Sequence, residues 1–335
     1  MPATGQGGRD PTVEPDAGDG VPAAGEARPA GAAPPAGAAQ AKGAAQSAEE
    51  ARARGDVAGL YGPGSEAWRL DREAFLLLGA GPRALLLQLA HPLVAEGVDQ
   101  HSNFRQDPWG RLHGTLDSYL RIVYGSTAAA TAEIRRLNRL HTSVTGPVRD
   151  AEARAVTGAE LYRARDPELS LWVHATLIES TLTAYDAWYE PLSPERRASF
   201  YRETLPVGRA FGIPDGLLPP DVDAFDAYWR AMLAPDGPVR VTPTARSLIT
   251  TILHPPVGPL PPALYDWLMW PAVALLPPRL RDEYGIPWGP GHAAVAGWLR
   301  GAFRLWGRRL PVTWRSMPQA RAADRRMRAA TIDQT

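Results

Sequence analysis

The sequence has no cysteine among its 335 residues. That absence excludes disulfides, thiolate-ligated haem, iron–sulfur clusters, covalent c-type haem attachment, cysteine-based zinc sites and a cysteine nucleophile. Any metal must use histidine, carboxylate, tyrosine or methionine. Lysine is nearly absent as well: Lys42 is the only one, so almost every cation is an arginine and a lone arginine carries little information. The formal net charge is +0, and the aromatic residues sit within apolar runs rather than alternating with basic ones, so no nucleic-acid partner is expected. Residues 1–50 hold no apolar stretch of the roughly 7–15 residues typical of a signal peptide. The most apolar late stretch, DWLMWPAVALLPP, is too short and proline-broken for a bilayer span of ~20 residues. The expected location is therefore cytoplasmic, with peripheral membrane contact as a refinement taken up below.

Several catalytic signatures are missing too. The chain has no His-Glu-x-x-His zinc helix, no G-x-S-x-G elbow, no phosphate-binding G-x-x-x-x-G-K-[ST] loop and no Glu-x-x-His pair for a di-iron bundle. Gly79-Ala-Gly81-Pro-Arg-Ala84, with Asp99 beyond it, imitates a dinucleotide-binding fingerprint. That motif needs a preceding buried strand, whereas the preceding FLLL lacks β-branched residues and the segments after it stay helical in pattern.

What is present is a hydrophobic content of 44%, with 11 Trp, 10 Tyr and 6 Phe, enough for a sizeable core. Residues 1–55 are dominated by Ala, Gly and Pro, without Leu, Ile or an aromatic ring, and read as a disordered tail. The folded part begins near Tyr61, Trp68 and Phe75. The run FLLLGAGPRALLLQLAHPLVAEGVDQH predicts helix, a turn at Gly79–Gly81, then a buried helix restarting at Pro82. Asp107-Pro108, Asp166-Pro167 and Ser193-Pro194 are cap-plus-proline helix starts, and Thr127 is a candidate cap for the helix carrying Ile134, Leu137, His141 and Val144. Further helices are expected over Asp223–Met232, Pro243–Leu253 and Pro261–Leu276. With no sustained β alternation, the fold class is all-α: one multi-helix globular domain over residues 56–290, followed by a basic aromatic helical extension over 291–335. That extension carries nine arginines against Asp324 and Asp333. It fits either a helix lying on an anionic membrane surface or an ordinary packing helix with solvated arginines.

Arg111 and Thr115 lie four residues apart, about one helical turn, so they share a face of the predicted helix. His141 follows Thr115 by 26 residues on the next helix, and a short connection lets that helix fold back toward the pair. This trio makes a candidate haem pocket. Of the seven histidines, His141 and His174 lie among apolar neighbours on long helices, where a neutral imidazole can ligate iron through one nitrogen. A hydrogen-bonded core histidine is the commoner explanation of either pattern taken alone. His113 falls on the far side of its helix from Arg111 and is expected to be exposed.

Four separated runs, GAGPRALLLQLAHPLVAEGVDQHSNF, DPWGRLHGTLDSYLRIVYG, RRLNRLHTSV and ARDPELSLWVHATLIES, together resemble the MpaB/latex-clearing-protein oxygenase family across most of residues 65–290. The resemblance implies an all-helical fold holding one non-covalent haem b, with oxidative cleavage of isoprenoid double bonds known for well-studied members. Carried over residue by residue, His141 would be the axial iron ligand, Arg111 and Thr115 the distal residues, and His174 a support of the pocket. Rubber-cleaving members carry a lysine immediately before the distal threonine, where this chain has Gly114. That departure and the expected location favour a small hydrophobic substrate with O₂ over an extracellular polymer. The expectation is a haem b-dependent oxygenase; the alternative is a non-catalytic helical protein that binds haem or lipid.

Overall fold

The computed structural model describes residues 55–102, 107–253 and 269–332. The tail expected over 1–55 lies outside these residues save for Gly55, as does the first half of the helix expected over Pro261–Leu276; its second half is described, and residues 269–274 are helical. The described helices are α1 (Glu66–Asp71), α2 (Ala74–Leu89), α3 (Pro92–His101), α4 (Pro108–Tyr124), α5 (Thr127–Thr142), α6 (Ala151–Thr157), α7 (Pro167–Trp188) and α8 (Pro194–Ala210). They continue with α9 (Val222–Met232), α10 (Pro243–Leu253), α11 (Pro278–Glu283), α12 (Pro290–Trp306), α13 (Val312–Arg315) and α14 (Pro318–Ile332). Among the described residues the only strands are β1 (Thr145–Pro147) and β2 (Leu161–Arg163), an antiparallel pair with Gly146 opposite Tyr162. The fold is all-α.

The helix starts follow from side-chain capping. Asp107 accepts from the Gly110 amide at 2.8 Å, Asp166 from Glu168 at 2.8 Å and Ser193 from Arg196 at 3.4 Å, each just ahead of a proline at the first helical position. The cap of α5 is Ser126 rather than Thr127, its hydroxyl accepting from Ala129 at 3.2 Å. A serine one residue earlier satisfies the same orphan amide and leaves Thr127 as the first helical residue.

At the centre, α2 packs along α7. Leu76 and Ala80 meet Ala175, Ile178 and Leu182 in one cluster, while Leu86, Leu87 and Leu89 share a second with Trp172, Val241, Leu248 and Tyr284. Burying such side chains contributes about 1.5–3 kcal/mol each before entropy is charged against it. Polar groups in this seam are matched: the Trp172 indole N–H donates to the Leu87 carbonyl at 3.2 Å, and Arg83, which is buried, pairs with Glu179 and donates to Ser180 and the Leu275 carbonyl.

The turn expected at Gly79–Gly81 is absent, because α2 runs unbroken through both glycines and Pro82. A Cβ at residue 79 would fall inside the Trp188 ring, so this glycine lets α7 close onto α2, whereas a Cβ at residue 81 meets nothing within 4 Å. Tertiary contact thus outweighs the hydrogen bond that Pro82 forgoes.

The C-terminal helices add to the same body; all described residues belong to the compact unit Glu49–Thr335. In α12, Phe303 stacks on Trp188 at 5.3 Å and meets Phe75 at 5.5 Å. Ala320 and Ala323 of α14 are buried with Trp68, Leu120 and Tyr124. Among the described residues, no single helix is long and apolar enough to cross a membrane.

Gly79→Ala should destabilise the protein by ~1–3 kcal/mol through overpacking against Trp188. Gly81→Ala, in exposed helix, should stabilise it by roughly 0.5–1 kcal/mol. Urea unfolding midpoints of the two variants check both; a Gly79→Ala midpoint at or above that of the wild type would contradict the packing described.

Candidate functional site

The site is built on the seam between α4 and α5. Only Gly125 and Ser126 separate the two helices, so the chain reverses and they pair in opposite directions. Arg136 on α5 donates to the Ser118 hydroxyl on α4 at 3.1 Å and grips Glu133 at 2.6 Å, and this pairing lowers the Glu133 pKa to about 2. Ile122 and Ile134 are packed into one small cluster with Val207 of α8. This register sets the far end of α5, with His141 in its last turn, beside the first turns of α4, which carry Arg111 and Thr115.

There the structure brings the expected trio together. Arg111 donates to the Thr115 hydroxyl at 2.7 Å, and the Thr115 hydroxyl donates in turn to the Arg111 carbonyl at 2.8 Å. His141 is half-buried, and its pKa is lowered by desolvation first and then by the positive charges of Arg111 and Arg165. Arg111 is exposed, and desolvation by the surrounding protein lowers its pKa as well. No described carboxylate pairs with it. Of the roles open to this arginine, a partner for a buried protein carboxylate is therefore not the one the described residues supply. His113 is exposed, as expected.

Arg165 was not singled out by the sequence. It precedes the α7 cap Asp166, reaches the Asn138 carbonyl at 3.4 Å, and is one of the two cations acting on His141. Asn138, one turn before His141, donates to the Ala210 carbonyl at 2.9 Å and pins the end of α5 to the end of α8. In a chain that uses arginine for nearly every cation, only the folded position distinguishes Arg165 from the others.

His174 lies in the seam between α7 and α8. It is buried, its Nε2 has no hydrogen-bond partner, and a Cβ at Gly208 would come within 3.1 Å of that nitrogen. Burial lowers its pKa to about 4, opposed by a hydrogen bond to the Thr204 backbone, and no charged group of the trio contributes. His174 faces Gly208, two residues before the Ala210 carbonyl that holds Asn138 at the end of α5. Gly114 has open space around it, with nothing within 4 Å of a Cβ there. The lack of a longer side chain at that position is not imposed by packing.

The donor set is suited to a porphyrin. Among the described residues no group of three or more His, Asp or Glu is arranged to hold a metal ion. A porphyrin-held iron would need one neutral side-chain ligand, and desolvation with the charges of Arg111 and Arg165 shifts His141 toward its neutral form. Arg111 and Arg165 provide permanent cations of the kind that bind the two carboxylates of haem.

The burial of His174 has a measurable consequence. An unfolded histidine takes up its proton near pH 6.5, whereas folded His174 does so only near about 4. Between those values the unfolded chain binds more protons, so lowering the pH removes stability, on the order of 3 kcal/mol from this residue. Asp71, pushed up to about 7 by burial, acts in the opposite sense over the same range. The His174 contribution is read as the difference between wild type and His174→Gln: the variant should lose less stability between pH 6.5 and 4 in urea titrations. Parallel curves would contradict a buried neutral imidazole.

The family described as ER-bound oxygenase mpaB/B'/Rubber oxygenase, catalytic domain, matches residues 68–309. Uncharacterised proteins of Mycobacterium bovis and Mycobacterium tuberculosis are each 28% identical over 254 residues, covering 73% of this chain and 94% of the relative. No solved structure gives a significant match. The matched span runs from α1 to the 3₁₀ turn after α12 and contains Arg111, Thr115, His141 and His174. The chain belongs to the MpaB/rubber oxygenase catalytic-domain family.

Proposed function

We propose that this protein is a haem b-dependent oxygenase that uses O₂ on a small, apolar, unsaturated or isoprenoid-like substrate. The observation that carries the reading is a half-buried His141 imidazole beside two guanidiniums and a hydrogen-bonded Arg111–Thr115 pair, in a chain of an oxygenase family.

In this reading His141 holds the iron through a ring nitrogen, and Arg165 and Arg111 pair with the haem carboxylates or with polar groups of the reactants. Haem, when bound, supplies the redox chemistry with O₂ that no side chain of this cysteine-free chain can supply. The remaining work falls to the protein. Arg111 keeps a fixed positive charge where negative charge develops during reaction, already oriented by its bond to Thr115, so little reorganisation is needed. The Thr115 hydroxyl can turn its proton from the Arg111 carbonyl to a reactant, exchanging one hydrogen bond for another. Gly114 leaves the neighbouring position uncharged and open, which suits a compact apolar substrate.

Purified protein expressed with haem supplied should show a Soret band with about one haem per chain, and His141→Ala should abolish or shift it. Arg111→Ala and Thr115→Ala should keep most of the haem while slowing the reaction of the reduced protein with O₂. An unchanged spectrum in His141→Ala, or unchanged oxygen kinetics in both distal variants, would reject these roles. Oxygen uptake that depends on an added polyene or isoprenoid supports turnover; stoichiometric uptake of ligand without product identifies a binder.

A further inference from the structure

The helix α12 is apolar on two sides, and the fold uses only one. Its inner face buries Ala296 and lays Phe303 on Trp188 and Phe75. On the outer face Ala294, Trp298, Gly301 and Leu305 recur at spacings of four, three and four, which is one continuous stripe on a helix. Trp298 is 70% exposed and Leu305 53%, and the chain just beyond continues with Trp306 at 58%, Val312 at 50% and Trp314 at 73%. A single exposed apolar residue needs no explanation, but five large ones within 17 residues of chain do.

The stretch of chain that carries this stripe has charge of one sign. From Tyr284 to Ala323 the sequence has no aspartate or glutamate and six arginines. Some of these are engaged: Arg304 donates to the Asp186 and Ala187 carbonyls at 2.7 and 2.9 Å, and Arg315 pairs with Glu73 at 3.0 Å. Arg300 is exposed on the helix, and Arg309, also exposed, lies over the Trp306 ring at 5.4 Å. Exposed tryptophan and arginine on one stretch of chain that itself carries no acid is the composition that seats a helix in the headgroup layer of an anionic bilayer.

We propose that α12 and the segment through Trp314 form a peripheral docking surface for an anionic lipid bilayer, with Trp298 and Leu305 entering the apolar boundary and Arg300 and Arg309 meeting the phosphates. The helix lies along the membrane plane rather than through it, since its inner face is fixed to α7. This surface is defined by exposure and charge alone and does not rest on the haem reading.

The full-length protein, sedimented with vesicles of phosphatidylcholine alone and of phosphatidylcholine with phosphatidylglycerol, should pellet with the second and far less with the first. Replacing Trp298 and Leu305 together by serine should weaken partitioning by roughly tenfold or more. Arg300→Ala with Arg309→Ala should instead remove most of the preference for the anionic vesicles, as should raised salt. All replaced side chains are exposed, so circular dichroism should be unchanged. The proposal is overturned if wild type stays in the supernatant with anionic vesicles, or if wild type and the Trp298/Leu305 variant pellet alike. It is equally overturned if light scattering shows those two substitutions splitting a dimer while lipid binding is absent, which would make this face a contact between copies of the chain.

Discussion

The seam between α4 and α5 fixes where every proposed catalytic group stands. Its hairpin turn is two residues long and capped by Ser126, so the two helices have no freedom to slide by a turn without breaking the cap and the Arg136–Ser118–Glu133 contact. Near the turn the seam is apolar, through Ile122 and Ile134; at the open end it is polar, with Arg111, Thr115 and His141. The order matters energetically. Apolar packing close to the turn holds the register, and the polar groups further out need not stabilise the fold themselves. They can be arranged for chemistry, including a half-buried imidazole beside two cations, which would be a poor choice for stability alone.

The second constraint is the closeness of α2 and α7, which Gly79 permits. Because α7 lies flush on α2, its preceding loop delivers Arg165 to the end of α5 and its far end delivers Trp188 to Phe303 of α12. One helix therefore links the candidate site to the surface proposed to meet lipid. An apolar substrate dissolved in a bilayer would find the oxygenase held against its source. The link is architectural, since α7 carries both contacts without any change of conformation being required.

Much of this was legible in the sequence, for identifiable reasons. Cap-plus-proline starts at Asp107, Asp166 and Ser193 are local signals, and the helices begin there. The four-residue spacing of Arg111 and Thr115 is a helical turn, and the folded chain joins the two by hydrogen bonds. The illegible parts depend on contacts distant in sequence. Gly79 and Gly81 read as a break because nothing local announces Trp188, whose ring occupies the space a side chain at residue 79 would need. Arg165 carries no local mark among so many arginines. His174 and His141 share apolar neighbours in the sequence, and only the fold shows that His174 is fully packed against Gly208 of α8 while His141 is half-buried. The double-sided character of α12 was visible only as a stripe of aromatic residues, and the fold was needed to divide Phe303 inside from Trp298 outside.

The central claim is that a single imidazole, that of His141, ligates iron. Electron–nuclear double resonance on the haem-loaded protein, grown with ¹⁵N-labelled histidine, addresses it most directly. The account predicts hyperfine coupling from a protein imidazole nitrogen that is retained in His174→Gln and lost in His141→Ala. Coupling that survives in His141→Ala, or that disappears in His174→Gln instead, would contradict it.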